Sequence, residues 1–300
     1  MAGAAAPGEN SGVSERLVAP VQVGDAEVRV GISSWNSLPG FYPARTRADD
    51  KLPWYARHFP IVEVNTSYYR PVPASTYEKW VTLTPDGFLF DVKAFRDLTH
   101  GETLPLDATF AQFRDSLEPL RAAHRFGCAL YQFPPSFGNT QTNRDFLRRV
   151  AEQMTGIPVA VEFRNGTWLD AESAPDTLAL LSDLSLAYAI ADEPQLSRGT
   201  VQPLVANTSN DLAYLRLHGR NAKGWLGHRG RYDYDYSTDE LVGFAETVEQ
   251  LATSVKQVHV MFNNNEKGAG TRNALVLIGM LRGEAPHTGD LPPVQASLFS

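Results

Sequence analysis

Short apolar runs that end in polar groups recur along this chain. Eight stand out: 29–35 (RVGISSW), 61–65 (IVEVN), 88–93 (FLFDVK), 128–132 (CALYQ), 159–164 (VAVEFR), 187–192 (AYAIAD), 214–220 (YLRLHGR) and 258–263 (VHVMFN). Each has the length and the β-branched or aromatic content of a strand. Helical periodicity is expected between most of them, over about 50–58, 75–83, 107–126, 142–154, a segment ending near 184, 237–253 and 273–282. Ser75, with Glu78 three residues on, reads as a capping box, and Pro119 predicts a kink. Strands alternating with helices imply parallel βαβ units, and eight such units imply one α/β domain, a (β/α)8 TIM-like barrel. Residues 27–282 are assigned to the barrel. The Ala/Gly/Pro/Ser-rich stretches 1–26 and 283–300 are expected to be disordered N- and C-terminal tails, and 192–210 the longest loop.

Side chains alternate across a strand, so the run 214–220 places Arg216, His218 and Arg220 on one face. A half-exposed antiparallel strand would also carry such a face. Recurrence of the pattern favours the barrel, in which active sites lie at the C-terminal ends of the strands. The inward residues ending the runs are then Ser33 and Trp35, Glu63 and Asn65, Asp91 and Lys93, Gln132, Glu162 and Arg164, Asp192, Arg216, His218 and Arg220, and Asn263.

Guanidiniums suit a bidentate carboxylate or phosphate ligand, so Arg164, Arg216 and Arg220 are read as anion holders. His218 is read as a general acid or base, with Glu63, Glu162 and Lys93 as the other catalytic candidates. Asn65, Gln132, Asn263, Trp35 and Tyr68 complete the substrate-binding set. Two alternatives remain open. The acids and cations form a structural ion-pair network, or Glu63, Glu162, Asp192 and His218 hold a divalent metal. Four neighbouring cations oppose the metal, so no metal ligand is assigned and the cofactor is unknown. The aromatics Trp35, Tyr68, Tyr69, Phe133, Trp168 and Tyr236 either stack on a ligand or wall the loops.

Three hundred residues, 43% of them hydrophobic, suffice for one large core. A net charge of −7 argues against a basic nucleic-acid coat protein but does not fix the sign of a local pocket. The single cysteine, Cys128, excludes an intramolecular disulfide, fits a cytoplasmic location and sits where a small core residue is expected. No apolar run reaches the ~20 residues of a membrane span, and the opening residues lack the layout of a secretion signal. Glycine-rich phosphate loops, paired CxxC and HExxH are absent from the sequence.

The runs GISSW, FYP, FPIVEVNTSYYR, KW at Lys79-Trp80, FDVKAFRDLTH, LYQFPPSF, VAVEFRNGTW, YLRLHGR, YDYDYS and MFNNN…NA, in this order over about 28–282, resemble the family called domain of unknown function 72. The resemblance implies a (β/α)8 barrel and supplies no established reaction. It directs attention to Trp35, Glu63, Asn65, Tyr68, Lys93, His100, Gln132, Glu162, Arg164, Arg216, His218, Arg220 and Asn263. Two positions depart from the family pattern. Ser34 stands where glycine is usual before Trp35, and Asp91 stands where a small or neutral residue is expected, in reach of Lys93.

The expected function is an enzyme, hydrolase-type favoured, acting on a phosphate- or carboxylate-bearing substrate, with a phosphodiester of nucleic-acid metabolism as one form. A non-catalytic module for an acidic ligand or nucleic-acid end, and a metal-dependent sugar isomerase or hydrolase, are the alternatives. At the C-terminus, Gln295-Ala296-Ser297-Leu298-Phe299 resembles the pentapeptide that docks on the bacterial sliding clamp. Leu298 and Phe299 would fill an apolar pocket and Gln295 would bond its rim.

Overall fold

The computed structural model describes residues 19–101, 105–196, 200–227 and 229–284. The clamp-like peptide 295–299 lies outside the described residues.

Eight parallel strands close into a barrel. They are β2 (Ala26–Ile32), β3 (Ile61–Val64), β4 (Leu89–Lys93), β5 (Phe126–Gln132), β6 (Val159–Glu162), β7 (Ala187–Asp192), β8 (Leu212–Leu217) and β9 (Gln257–Phe262). Neighbours pair in sequence order, and β9 returns to β2, which makes this a TIM-like α/β barrel. A ninth strand, β1 (Val21–Val23), pairs antiparallel with β2 through a tight turn at Gly24. It falls in the stretch expected to be a disordered lead-in, so ordered chain begins before residue 27. Three alternating residues, Val-Gln-Val, suffice for a hairpin arm but are too few to stand out as a strand by periodicity.

The helices are α1 (Ala48–Tyr55), α2 (Ala74–Thr82), α3 (Arg96–Thr99), α4 (Asp107–Ala122), α5 (Gln141–Gln153), α6 (Ala174–Asp183), α7 (Ala222–Gly227), α8 (Thr238–Ala252) and α9 (Ala269–Leu281). The Ser237 side chain accepts from the Glu240 amide, and the Glu240 side chain accepts from the Ser237 amide, closing a capping box on α8. Ser75 makes no such box. Pro73 is the N-cap of α2, which leaves Ser75 one residue inside the helix. Helix α4 stops at Ala122 rather than 126, because His124 takes a left-handed conformation (φ 56°) and hands the chain to β5.

The inner wall is apolar along most of its height. Ile61, Leu89, Cys128, Leu130, Ala160, Ala187, Ala189, Leu212, Tyr214 and Met261 form one buried cluster there, separate from the larger core between strands and helices. The strand seams are unequal. Six residue pairs join β2 to β9, but only Ile32 and Val62 join β2 to β3. There the Tyr55 hydroxyl bridges the gap, accepting from the Ile32 amide (2.8 Å) and donating to the Ile61 carbonyl (2.9 Å).

Candidate functional site

Arg216 sits near the end of β8, 2% exposed, so its charge must be met by protein. Its Nε donates to Glu63 Oε2 (2.8 Å), its Nη2 to Glu63 Oε1 (2.6 Å), and its Nη1 to Glu162 Oε2. Glu63, on β3, also accepts from the Tyr214 hydroxyl (2.9 Å) and from Asn65 Nδ2 (3.0 Å). Glu162 ends β6, and its other oxygen contacts Arg164 Nε and lies 3.4 Å from His218 Nε2. Arg164 reaches Glu193 through Nη1 and the imidazole of His218 through Nη2 (2.7 Å). Asn263, just past β9, closes the series 3.0 Å from His218 Nδ1.

Of the residues read from the sequence, Glu63, Asn65, Glu162, Arg164, Arg216, His218 and Asn263 thus join in one buried network. Burial alone would raise the Glu162 carboxyl, but Arg164 and then Arg216 outweigh it and hold that group well below the usual range. Burial lifts the Glu193 carboxyl above its ordinary value, with Arg164 opposing. A guanidinium can only donate, so His218 Nε2 is its acceptor and the ring proton sits on Nδ1, which requires the Asn263 side-chain amide to present its oxygen there. Burial, then the Arg164 charge, pulls His218 down to about 3. With both nitrogens engaged and the ring neutral, His218 is a poor group for moving protons. What the geometry shows is a ring that links Arg164 to Asn263.

Arg216 and Arg164 are saturated by Glu63, Glu162 and Glu193. Arg220 lies outside the network. Gly219, at φ +86°, breaks the strand alternation, and Arg220 bonds Asp192 (Nη2–Oδ1 2.6 Å) and Glu240 (2.9 Å) beside α8. Asp192 faces the same way, accepting also from the Tyr236 hydroxyl (2.6 Å). It therefore does not converge with Glu63, Glu162 and His218, so the alternative in which these four hold a metal lacks its fourth ligand. Trp35 is not at the mouth either: it is 5% exposed and packs edge-on against Trp80 (4.8 Å) in the outer core. Phe133 and Trp168 are likewise buried wall, in a stack with Phe137 and Phe163.

Lys93 ends β4, half-buried at the mouth. Its Nζ donates to Gln132 Oε1 (2.8 Å) and lies 4.6 Å from the centre of the Tyr68 ring. Among the described residues it has no carboxylate partner. Burial, then the Arg216 charge, lowers its pKa to about 8, with Glu63 and Glu162 opposing. The expected Asp91–Lys93 pair does not form. Asp91 lies deeper, accepting from the Cys128 amide (2.9 Å) and pairing with His259 Nδ1 (3.0 Å). The Asp91, Cys128 and His259 side chains come within 4.8 Å of one another, all fully buried. His100 packs on the edge of Tyr68 (5.1 Å), and its Nδ1 is 2.8 Å from Thr99 Oγ1.

Four site residues escaped the sequence reading. Glu193 follows the inward phase of Ala187, Ala189 and Ala191, a signal that the run ending at Asp192 obscured. Tyr214 was assigned to a strand but given no role. Trp225 and Tyr232 belong to the stretch after β8. Trp225 lies under the Arg164 guanidinium (5.4 Å) and 6.3 Å from the His218 ring, with Tyr232 at 6.2 Å from that ring. Trp225 falls in the six-residue helix α7 and Tyr232 in the loop after it, both too short for periodicity to mark.

The fold and its strand-end network define a (β/α)8 barrel with a charged, mostly internally paired cluster under its C-terminal mouth. A family model described as "Protein of unknown function DUF72" matches residues 29–296, and the chain belongs to that family. It is 34% identical over 285 residues to UPF0759 protein YunF of Bacillus subtilis (strain 168), covering 91% of this chain and all of that one. A DUF72 family protein (TM1631) from Thermotoga maritima MSB8 superposes with a TM-score of 0.77 at 32% identity, over 85% of this chain and 99% of that chain. Another (EF0366), from Enterococcus faecalis V583, gives 0.78 at 28% identity, over 88% and 100%. No helix among the described residues is long and apolar enough to cross a membrane.

Proposed function

We propose that the barrel mouth is an active site for a small anionic substrate, carboxylate- or phosphate-bearing, with Lys93 as the anchoring cation and proton-transfer group. One observation carries this reading. The network holds three positive groups (Lys93, Arg164, Arg216) and three negative ones (Glu63, Glu162, Glu193), yet both guanidiniums take all three carboxylates. Lys93 is left with a neutral amide partner. A half-buried ammonium with no carboxylate in direct contact is poorly compensated, and such groups concentrate at functional sites. An incoming oxyanion would supply that direct contact, while the lowered pKa puts the neutral amine within reach near neutral pH.

The guanidiniums, read from the sequence as the anion holders, instead fix the carboxylates that frame Lys93. Calorimetric titration of inorganic phosphate into wild type and Lys93→Met tests the reading. Binding by wild type, weakened at least tenfold in the variant, is expected. Equal binding by both, or none by either, overturns it.

A further inference from the structure

We infer that Lys93 acts as a covalent nucleophile, condensing through Nζ with the carbonyl of an oxo-acid or oxo-phosphate to form a Schiff base. This rests on the reading above and names the substrate class for the same site. Four features support it.

Lys93 stands at the C-terminal end of a barrel strand with its amine at the mouth, where a substrate carbonyl can approach. Among the described residues its hydrogen-bond acceptor is the neutral Gln132 Oε1, so no carboxylate holds the proton on Nζ. The Tyr68 ring covers one side of the amine, its centre 4.6 Å from Nζ. Finally, polar groups that would suit the remainder of such a substrate lie at the same end. The Ser33 hydroxyl, on the inward register of β2 and 3% exposed, has no hydrogen-bond partner. The Asn65 amide bonds the Ser33 carbonyl (2.8 Å) beside it.

The chemistry balances without an oxidant or metal. The lone pair of neutral Nζ attacks the carbonyl carbon, the C–N bond forms, and the carbonyl oxygen takes a proton to give a carbinolamine. The C–O bond then breaks, water leaves, and the remaining Nζ proton is given up as the imine forms. These protons exchange with water at the open mouth. A lysine titrating near 8 holds a neutral-amine fraction at pH 7.5 roughly a hundredfold or more above that of an exposed one.

The test uses the full-length protein with pyruvate, and separately dihydroxyacetone phosphate, in the presence of cyanoborohydride, which reduces any imine to a stable secondary amine. Intact mass and peptide mapping locate the adduct, and calorimetry with the same two compounds measures binding. Wild type should give one adduct, at Lys93, forming at least about tenfold faster than on the exposed Lys256 and Lys267, with a rate midpoint near pH 8. Lys93→Arg keeps the positive charge and should bind the oxyanions without forming the adduct. Thermal melting of the variant checks that it folds. If wild type binds either compound but gives no adduct, or the adduct spreads evenly over the lysines, the Schiff base is overturned and the anion-binding reading stands. If wild type binds neither compound and gives no adduct, both fall.

Discussion

Arg216 and Glu63 meet at two points, Nε on Oε2 at 2.8 Å and Nη2 on Oε1 at 2.6 Å, with neither side chain open to water. Such a fork joins β8 to β3 across the barrel. Its guanidinium carries Glu162 on the remaining arm.

Removing one partner strands a buried charge, whereas removing both does not. Glu63→Gln and Arg216→Met should each lose about 3–5 kcal/mol in urea unfolding. The double variant should lose clearly less than the sum of the two. Additive losses would mean that the fork does not couple the strands.

The buried imidazole predicts an acid weakness of known sign. The unfolded chain protonates His218 near its ordinary value, while the folded protein does so only near 3. Unfolded chains therefore bind the extra proton between these values, and stability falls as pH drops through this window. His218→Gln should lose less stability than wild type between pH 7 and 4.5, read as the change in urea midpoint. Glu162 acts in the same direction in both proteins, and more weakly without His218, which is one of the groups that lower it, so its change reinforces the expected sign.

Ser34 has φ +147°, a backbone region that favours glycine. Ser34→Gly removes the side chain that makes this conformation costly and forfeits only the Asn36 amide bond to its hydroxyl (3.2 Å). A gain of about 1 kcal/mol is expected, net of glycine's greater unfolded-state freedom. It should register as a melting temperature higher by roughly 2 °C. An unchanged or lower midpoint would count against strain at this turn.

At Gly127 an added Cβ would stand 2.1 Å from Asp91 Oδ1, the oxygen that caps the Cys128 amide. Gly127→Ala must push that carboxylate off its amide and away from His259. A loss of about 1–3 kcal/mol is expected, with the fold retained by circular dichroism.

The barrel and most of its inner network follow from period-two reading. Glu63, Lys93, Glu162, Arg164, Arg216, His218 and Asn263 stand at strand ends in the phase that their apolar neighbours set. What escaped is what phase cannot carry. Gly219 rotates Arg220 out of a register that would have turned it inward, and the small alanines of β7 disguise which of Asp192 and Glu193 continues the inner face. Residue type also conceals pairing. Three arginines near one mouth read equally well as anion holders or as counter-ions, and only the positions of Glu63, Glu162 and Glu193 decide that Arg164 and Arg216 are already occupied.

The single bridged pair between β2 and β3 makes this the most sparsely laddered seam of the cylinder. A phenol, rather than a ladder of amides, holds the two edges at Ile32 and Ile61. Its rotation frees one amide and one carbonyl together, at the cost of a couple of hydrogen bonds rather than global unfolding. Deuterium should therefore reach the Ile32 amide well before those of β8 and β9, and Tyr55→Phe should hasten it further. Ser33 lies one residue beyond Ile32 and Asn65 just past the end of β3. Each opening would load the bond between these two residues, Asn65 Nδ2 to the Ser33 carbonyl at 2.8 Å, which spans the same seam.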